Sequence, residues 1–217
     1  MAAESNSKAE IVRRIRKANG SPSPEAVVRS GWSAISRNYK SAGVLAPEAL
    51  LELFEGRLRD YDATVIRTGR AHLALSVAHR LQERCKLRIL IPFDVPQEWL
   101  PEGVEFVVDD DLTPAELDSF DGVLTGSTLA IAETGTLVLQ NAPAQGRRAV
   151  SLVPDYHLCV VHAQDLVETV PEAMKRLQKT AELATTFISG PSATADIEMT
   201  RIKGVHGPRV LDVLLIL

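Results

Sequence analysis

The run Leu124-Thr-Gly-Ser-Thr-Leu-Ala-Ile-Ala-Glu-Thr-Gly-Thr-Leu-Val-Leu-Gln140 sets one carboxylate, Glu133, among small and β-branched residues that read as buried sheet. Taking an ionised glutamate out of water costs several kcal/mol unless hydrogen bonds or a cation compensate. Two arrangements meet that need. In one, the backbone and hydroxyls of Thr134-Gly135-Thr136 stabilise Glu133 at a strand irregularity. In the other, Glu133 faces a ligand cleft.

Two later loops carry groups that suit an anion. Ser189-Gly-Pro-Ser-Ala-Thr194 follows a predicted strand and precedes a short helix-like Ala195-Asp-Ile-Glu198. Its backbone N–H groups and the Ser192 and Thr194 hydroxyls could converge on an oxyanion, or Ser192 or Thr194 could simply cap the helix. Lys203-Gly-Val-His-Gly-Pro-Arg209 adds three donors, Lys203, His206 and Arg209, that match a carboxylate or phosphate. A rigid turn into a final strand would need the glycines and proline of that loop but none of its basic side chains. Asp109-Asp-Asp111 reads as solvated or helix-capping acid rather than as a hard-metal site. His72 and His79 lie seven apart on one predicted helix, and His157 and His162 should face opposite sides of one strand. All four read as structural, and no metal is expected.

Several chemistries are excluded by what is missing. The chain has no GxxxxGK[ST], no GxGxxG between a strand and a helix, no GxSxG and no HExxH. Its 24 Lys+Arg against 28 Asp+Glu and pI near 5.8 give no basic excess to offset a phosphate backbone, so nucleic acid is not an expected partner. Cys85 and Cys159 stand far apart in apolar surroundings, with no CxxC or Cys/His spacing. Free buried thiols in a reducing compartment are expected. An N-terminus without an apolar h-region, and the absence of eighteen consecutive uncharged apolar residues, argue for a cytoplasmic protein without membrane insertion.

The elements that must position these groups follow from periodicity. With 217 residues, the chain can bury one sizeable core. Ile11, Val12, Ile15 and Ala18 recur at helical spacing opposite Arg13, Arg14, Arg16 and Lys17, a basic amphipathic helix. Asn19-Gly-Ser-Pro-Ser-Pro24 ends it, and residues 1–45 read as a helical arm and linker. The arm's apolar stripe could cover its own domain or a second copy of the chain, so a homo-oligomer is compatible with it. From 46 to 217 the pattern is that of an α/β domain. Pro47 opens a helix with Leu50, Leu51, Phe54 and Leu58 on one side, Asp62–Arg67 is a strand, and Ala71–Cys85 is the next helix. Arg88–Ile91, Val104–Val108 and Gly122–Thr125 are strands, with a short helix from Thr113 to Asp118 between the last two. Alternation of this kind predicts a largely parallel sheet covered by helices on both faces. Ser127–Gln140, Arg148–Leu152 and His157–His162 read as closely spaced strands, with Asn141–Gly146 as a hairpin loop, so a mixed sheet or small antiparallel layer is expected there. A helix from Pro171 to Leu183 and strands at Thr185–Ser189 and Arg209–Leu217 complete the domain.

Ile131-Ala-Glu-Thr-Gly-Thr136, Ser189-Gly-Pro-Ser192, Ala195-Asp-Ile-Glu198 and Gly204-Val-His-Gly-Pro-Arg209, in that order, resemble the lactate-utilisation protein C family of LUD-domain proteins. The resemblance runs from about Ala46 to Leu217. It implies a mixed, largely parallel sheet flanked by helices, similar to the sugar-phosphate isomerase and coenzyme A transferase-like fold, in which a glutamate-rich loop after a central strand lies at the active-site cleft. Glu133-Thr134-Gly135 is similar in spacing to the glutamate-x-glycine element with which the transferases attack an acyl thioester. The second, duplicated domain of such enzymes has no counterpart here, and fold alone does not set function.

The resemblance further implies an accessory subunit of an L-lactate oxidation system working with separate iron-sulfur proteins. Two cysteines cannot ligate a four-cysteine cluster, and no flavin or nicotinamide fingerprint is present, so no cofactor is expected in this chain. On that reading Thr125, Gly126, Glu133, Thr134 and Gly135 shape a small carboxylate or partner site, with Ser192, His206 and Arg209 as anion donors. The alternative is a stand-alone enzyme or sensor that uses Glu133 on a small anionic metabolite such as an acyl-coenzyme A or a sugar phosphate.

Overall fold

The computed structural model describes residues 4–20, 24–194, 202–204 and 206–217. The chain divides into two compact units with their boundary between Tyr39 and Lys40. The first contains α1 (Glu4–Asn19) and α2 (Glu25–Ala34). In α1, Glu10 accepts hydrogen bonds from Arg13 and Arg14, pairs one helical turn apart. Beyond α2, the Arg37 guanidinium lies 5.0 Å from the centre of the Trp32 ring.

The second unit runs in the order α3 (Pro47–Asp60), β1 (Thr64–Thr68), α4 (Leu73–Glu83), β2 (Arg88–Ile91), β3 (Glu105–Val108), α5 (Pro114–Asp118) and β4 (Gly122–Thr125). It continues with β5 (Leu129–Ile131), β6 (Thr136–Gln140), β7 (Tyr156–His162), β8 (Leu166–Val167), α6 (Val170–Leu177), β9 (Thr185–Ile188), β10 (Ala193–Thr194), β11 (Ile202–Lys203) and β12 (Val210–Ile216). Six strands in the order β1-β12-β7-β4-β2-β3 form one sheet, parallel at every pairing. A second sheet, β8-β5-β6-β9, is mixed, and β10 and β11 pair antiparallel by themselves.

Apolar spacing explains the layering. Leu73, Val77 and Leu81 of α4 pack with Trp99 on one face of the large sheet, against Ile89, Leu124, Leu158 and Leu214. On the other face, Leu51, Phe54 and Leu58 of α3 join the second sheet, whose inward residues Ala130, Leu137 and Leu139 meet Cys159, Val161 and Val213. The outward residues Leu129, Ile131 and Val138 are covered by Ala173 and Leu177 of α6. Within the second sheet, β5 and β6 are therefore enclosed on both faces. That is why β5 and β6 read as continuous apolar runs and not as alternating ones.

The α/β class, the parallel sheet and its helical cover match the periodicity. Several local expectations do not. Arg148–Leu152 forms turns and no strand, so Asn141–Gly146 is not a hairpin loop. β6 instead finds its antiparallel partners in β5 and β9. His157–His162 lies inside the large sheet between β12 and β4, because its continuous apolar run is buried on both faces. The helix at Pro171 ends at Leu177 and passes into a 3₁₀ turn, and α4 starts at Leu73 after another such turn. Cys159 is buried as expected, whereas Cys85 is exposed just after α4.

Candidate functional site

β5 and β6 are joined by Ala132–Gly135, with Ile131 opposite Thr136 across the hairpin. Gly135 takes φ +57° and its N–H bonds the Ala132 carbonyl at 3.3 Å. A Cβ added there would sit 2.8 Å from Cβ of Arg57 and 2.9 Å from its carbonyl carbon, so the hairpin tip presses on the backbone of α3. The turn lifts Glu133 off the sheet. Its side chain is 39% exposed, contrary to the burial read from its apolar neighbours, and Oε1 accepts a hydrogen bond from Lys40 Nζ at 3.1 Å.

The enclosed carboxylate is Glu168, 4% exposed and bonded to the same Lys40 ammonium. It also accepts the N–H groups of Val44 at 2.6 Å and Leu45 at 2.8 Å. Lys40, followed by the Leu45 N–H, holds its carboxyl below the usual range. Any side chain at Gly43 would fall 2.5 Å from Glu168 Cβ. The segment after Lys40 is thereby strapped over the β8–α6 turn. Glu168 sits in Leu166-Val-Glu-Thr-Val170, an acid among apolar residues like Glu133, and that signal could have found it.

Glu133 and Thr134 line an open depression with Arg57, Asp60, Tyr61 and Ser189. A chain of hydroxyls leads inward from it: Thr134 Oγ1 lies 2.7 Å from Thr136 Oγ1, which lies 2.7 Å from Ser189 Oγ. Ser189 also lines a second cavity, of about 230 Å³, between the large sheet and the end of β9. Its polar walls are Arg148, Ser151, His157, Ser189, Ser192 and His206. Among the described residues no Asp or Glu contributes to the lining.

Within this cavity the Ser192 hydroxyl accepts the His206 N–H at 3.1 Å, and Ser192 N–H bonds the Pro208 carbonyl at 2.8 Å. Ser192 thus fastens the two glycine-rich loops together as well as facing the space they enclose. His157 stands opposite Leu211 of β12 and Val123 of β4, and is 1% exposed. Its Nε2 is 2.7 Å from Thr125 Oγ1, and burial lowers its pKa to about 4, so it is neutral at physiological pH. Thr125 also donates to Cys159 Sγ at 3.7 Å, and burial pushes that thiol up to about 12.

The structure therefore brings Ser192 and His206 together, places Glu133 and Thr134 beside them across Ser189, and sets Thr125 behind His157. Gly126 faces elsewhere: its N–H bonds the Ala144 carbonyl at 2.7 Å, and a Cβ would be 3.3 Å from the Trp99 ring. Arg209 is spent on Asp155, Nε to Oδ1 at 2.6 Å, and this pair holds the Asp155 carboxyl low. The side chains of Thr194 and Lys203, and Ala195–Glu198 entirely, lie outside the described residues. Asp109 is bonded by Arg147 at 2.7 and 2.8 Å, and among the described residues no three His, Cys, Asp or Glu side chains are grouped to hold a metal. Arg148 and Ser151 were not singled out by sequence, Ser189 only as the first residue of its loop motif, and Lys40 gave no signal at all, since only the tertiary fold carries them to their partners.

The LUD domain family model matches residues 107–216, which include β4 to β12 and both cavities' principal loops. The chain is 37% identical over 212 residues to a protein named Lactate utilization protein C from Deinococcus radiodurans, an alignment covering 96% of this chain and 95% of that one. A protein of the same name from Shouchella clausii is 40% identical over 90 residues, 39% of each chain. Among solved structures, a DUF162 family protein from Deinococcus radiodurans superposes with TM-score 0.70 and 35% identity, covering 80% of this chain and 99% of that one.

Proposed function

We propose, on the premise that this chain belongs to the LUD-domain family of lactate-utilisation C proteins, that it is an accessory subunit of a system that oxidises L-lactate to pyruvate. The near-complete alignment with Lactate utilization protein C of Deinococcus radiodurans carries this reading. In it, electrons pass through separate iron-sulfur partners and this chain holds no cofactor of its own. Its two cysteines support that division of labour: Cys159 is sealed in the sheet and Cys85 is at the surface. Among the described residues no helix is long and apolar enough to cross a membrane, which accords with work in the cytoplasm. The chain's contribution is then to bind, either a small acid or its partners.

The alternative of acyl transfer through Glu133 needs a carboxylate free to attack. Lys40 engages it instead, and the depression around it is open to water, where a carboxylate is a weak nucleophile. Affinity purification of the tagged protein from its own cells grown on lactate tests the proposal. Co-purification of cysteine-rich partners with an absorbance bleached by L-lactate is expected. A colourless chain recovered alone under the same conditions would overturn the subunit reading.

A further inference from the structure

We propose that the cavity walled by Arg148, Ser151, His157, Ser189 and His206 is a binding site for a small organic carboxylate, with Arg148 as its anchor. The charge balance is the first reason. Among the described residues a guanidinium and two imidazoles line the space with no acid, and no carboxylate pairs with Arg148. An arginine without a carboxylate partner at the lip of such a cavity presents its paired donors to an incoming carboxylate.

His157 supplies the second, independent reason. It is 1% exposed, its Nε2 is taken by Thr125, and no protein group among the described residues bonds Nδ1. His157 lines the cavity, and Nδ1 is the ring nitrogen that Thr125 leaves over for an occupant. Because the imidazole is neutral, it offers one hydrogen bond without adding charge, which suits a hydroxyl or oxo group next to the carboxylate.

Size and surface narrow the class. A cavity of about 230 Å³ has room for an acid of a few carbons. Leu152, Phe187, Ile188 and Leu211 make the remaining wall apolar, a match for a short alkyl group that inorganic phosphate could not use. The choice of a carboxylate rests on this cavity alone. That L-lactate or pyruvate should be the preferred acid rests on the lactate-utilisation reading.

Calorimetric titration of the full-length chain and of Arg148→Gln with L-lactate, pyruvate, butyrate and inorganic phosphate tests the site. Arg148 is exposed, so the variant should keep its fold, which a thermal melt verifies. L-lactate or pyruvate should bind the parent and lose about ten- to a hundredfold in affinity in the variant, the loss typical of one charge-assisted contact, with phosphate failing to compete. Butyrate binding through Arg148 without L-lactate or pyruvate would uphold the carboxylate site and overturn the lactate reading of its ligand. Binding of phosphate alone, carboxylate affinity unchanged in Arg148→Gln, or no binding by any of the four would overturn the site.

Discussion

His157 ties the stability of the large sheet to pH in a way that can be measured. Buried neutral in the fold, it titrates near 4, whereas an exposed histidine in the unfolded chain titrates near 6.5. Between those values the unfolded state binds the proton and the folded state does not, so stability is full above about pH 6.5 and falls as pH is lowered toward 4. The full effect is about 3 kcal/mol, and about 2 kcal/mol of it should be lost between pH 7.5 and 5. In a chain of this length that corresponds to a drop in Tm of about 4–8 °C. The window avoids the carboxylates held low in the fold, Glu168, Asp155 and Asp212, whose contributions fade only below the ordinary acid range near pH 4. Urea denaturation at half-unit pH steps would give the slope for the parent and for His157→Gln, in which the amide can still bond Thr125 but cannot titrate. A steep parent and a flat variant are expected. An equal slope in both, or none in the parent, would refute the assignment to His157.

Asp212, wholly buried, accepts hydrogen bonds from Arg80, Arg84 and Tyr156, and against the opposing cost of burial the two guanidinium groups hold its carboxyl low. Asp212→Asn should cost about 3 kcal/mol by denaturant titration, the lower end of the range for a broken buried pair because Arg84 is partly exposed. Gly135→Ala must accept φ +57° and intrude on the α3 backbone, and should lose about 2 kcal/mol, against a gain of about 0.5–1 kcal/mol for alanine at Gly56 inside α3, where nothing lies within 4 Å of a Cβ. Lys40→Ala removes the cation that leads in lowering the Glu168 pKa, so carbon-detected NMR titration should place that carboxyl higher than in the parent. Glu133→Gln should leave the melting temperature close to the parent's, since its ion pair is exposed; a large drop would show that the turn depends on that charge.

Periodicity alone specified the α/β class, the parallel sheet, the apolar side of α3 and the opposite facing of His157 and His162, because each rests on repeats of 2 or 3.6 residues within one segment. The same apolar pattern misplaced Glu133. A four-residue turn inside a buried hairpin leaves no mark on the apolar run around it, so a carboxylate at the tip looked enclosed. Gly135 was the local clue, but its requirement comes from α3, more than seventy residues earlier in the chain. The 131–136, 189–192 and 204–209 blocks pointed to the right region, and the fold sorted their members by distance. Ser192 and His206 meet across a zipped pair of loops, while Arg209, two residues from Gly207, turns away to Asp155. Arg148, Ser151 and His157 enter the cavity from segments with no shared motif. Such convergence is a property of tertiary packing: the packing of the two sheets brings β7 and β12 of one within reach of β9 of the other, and no one-dimensional pattern records which side chains then share the space between them.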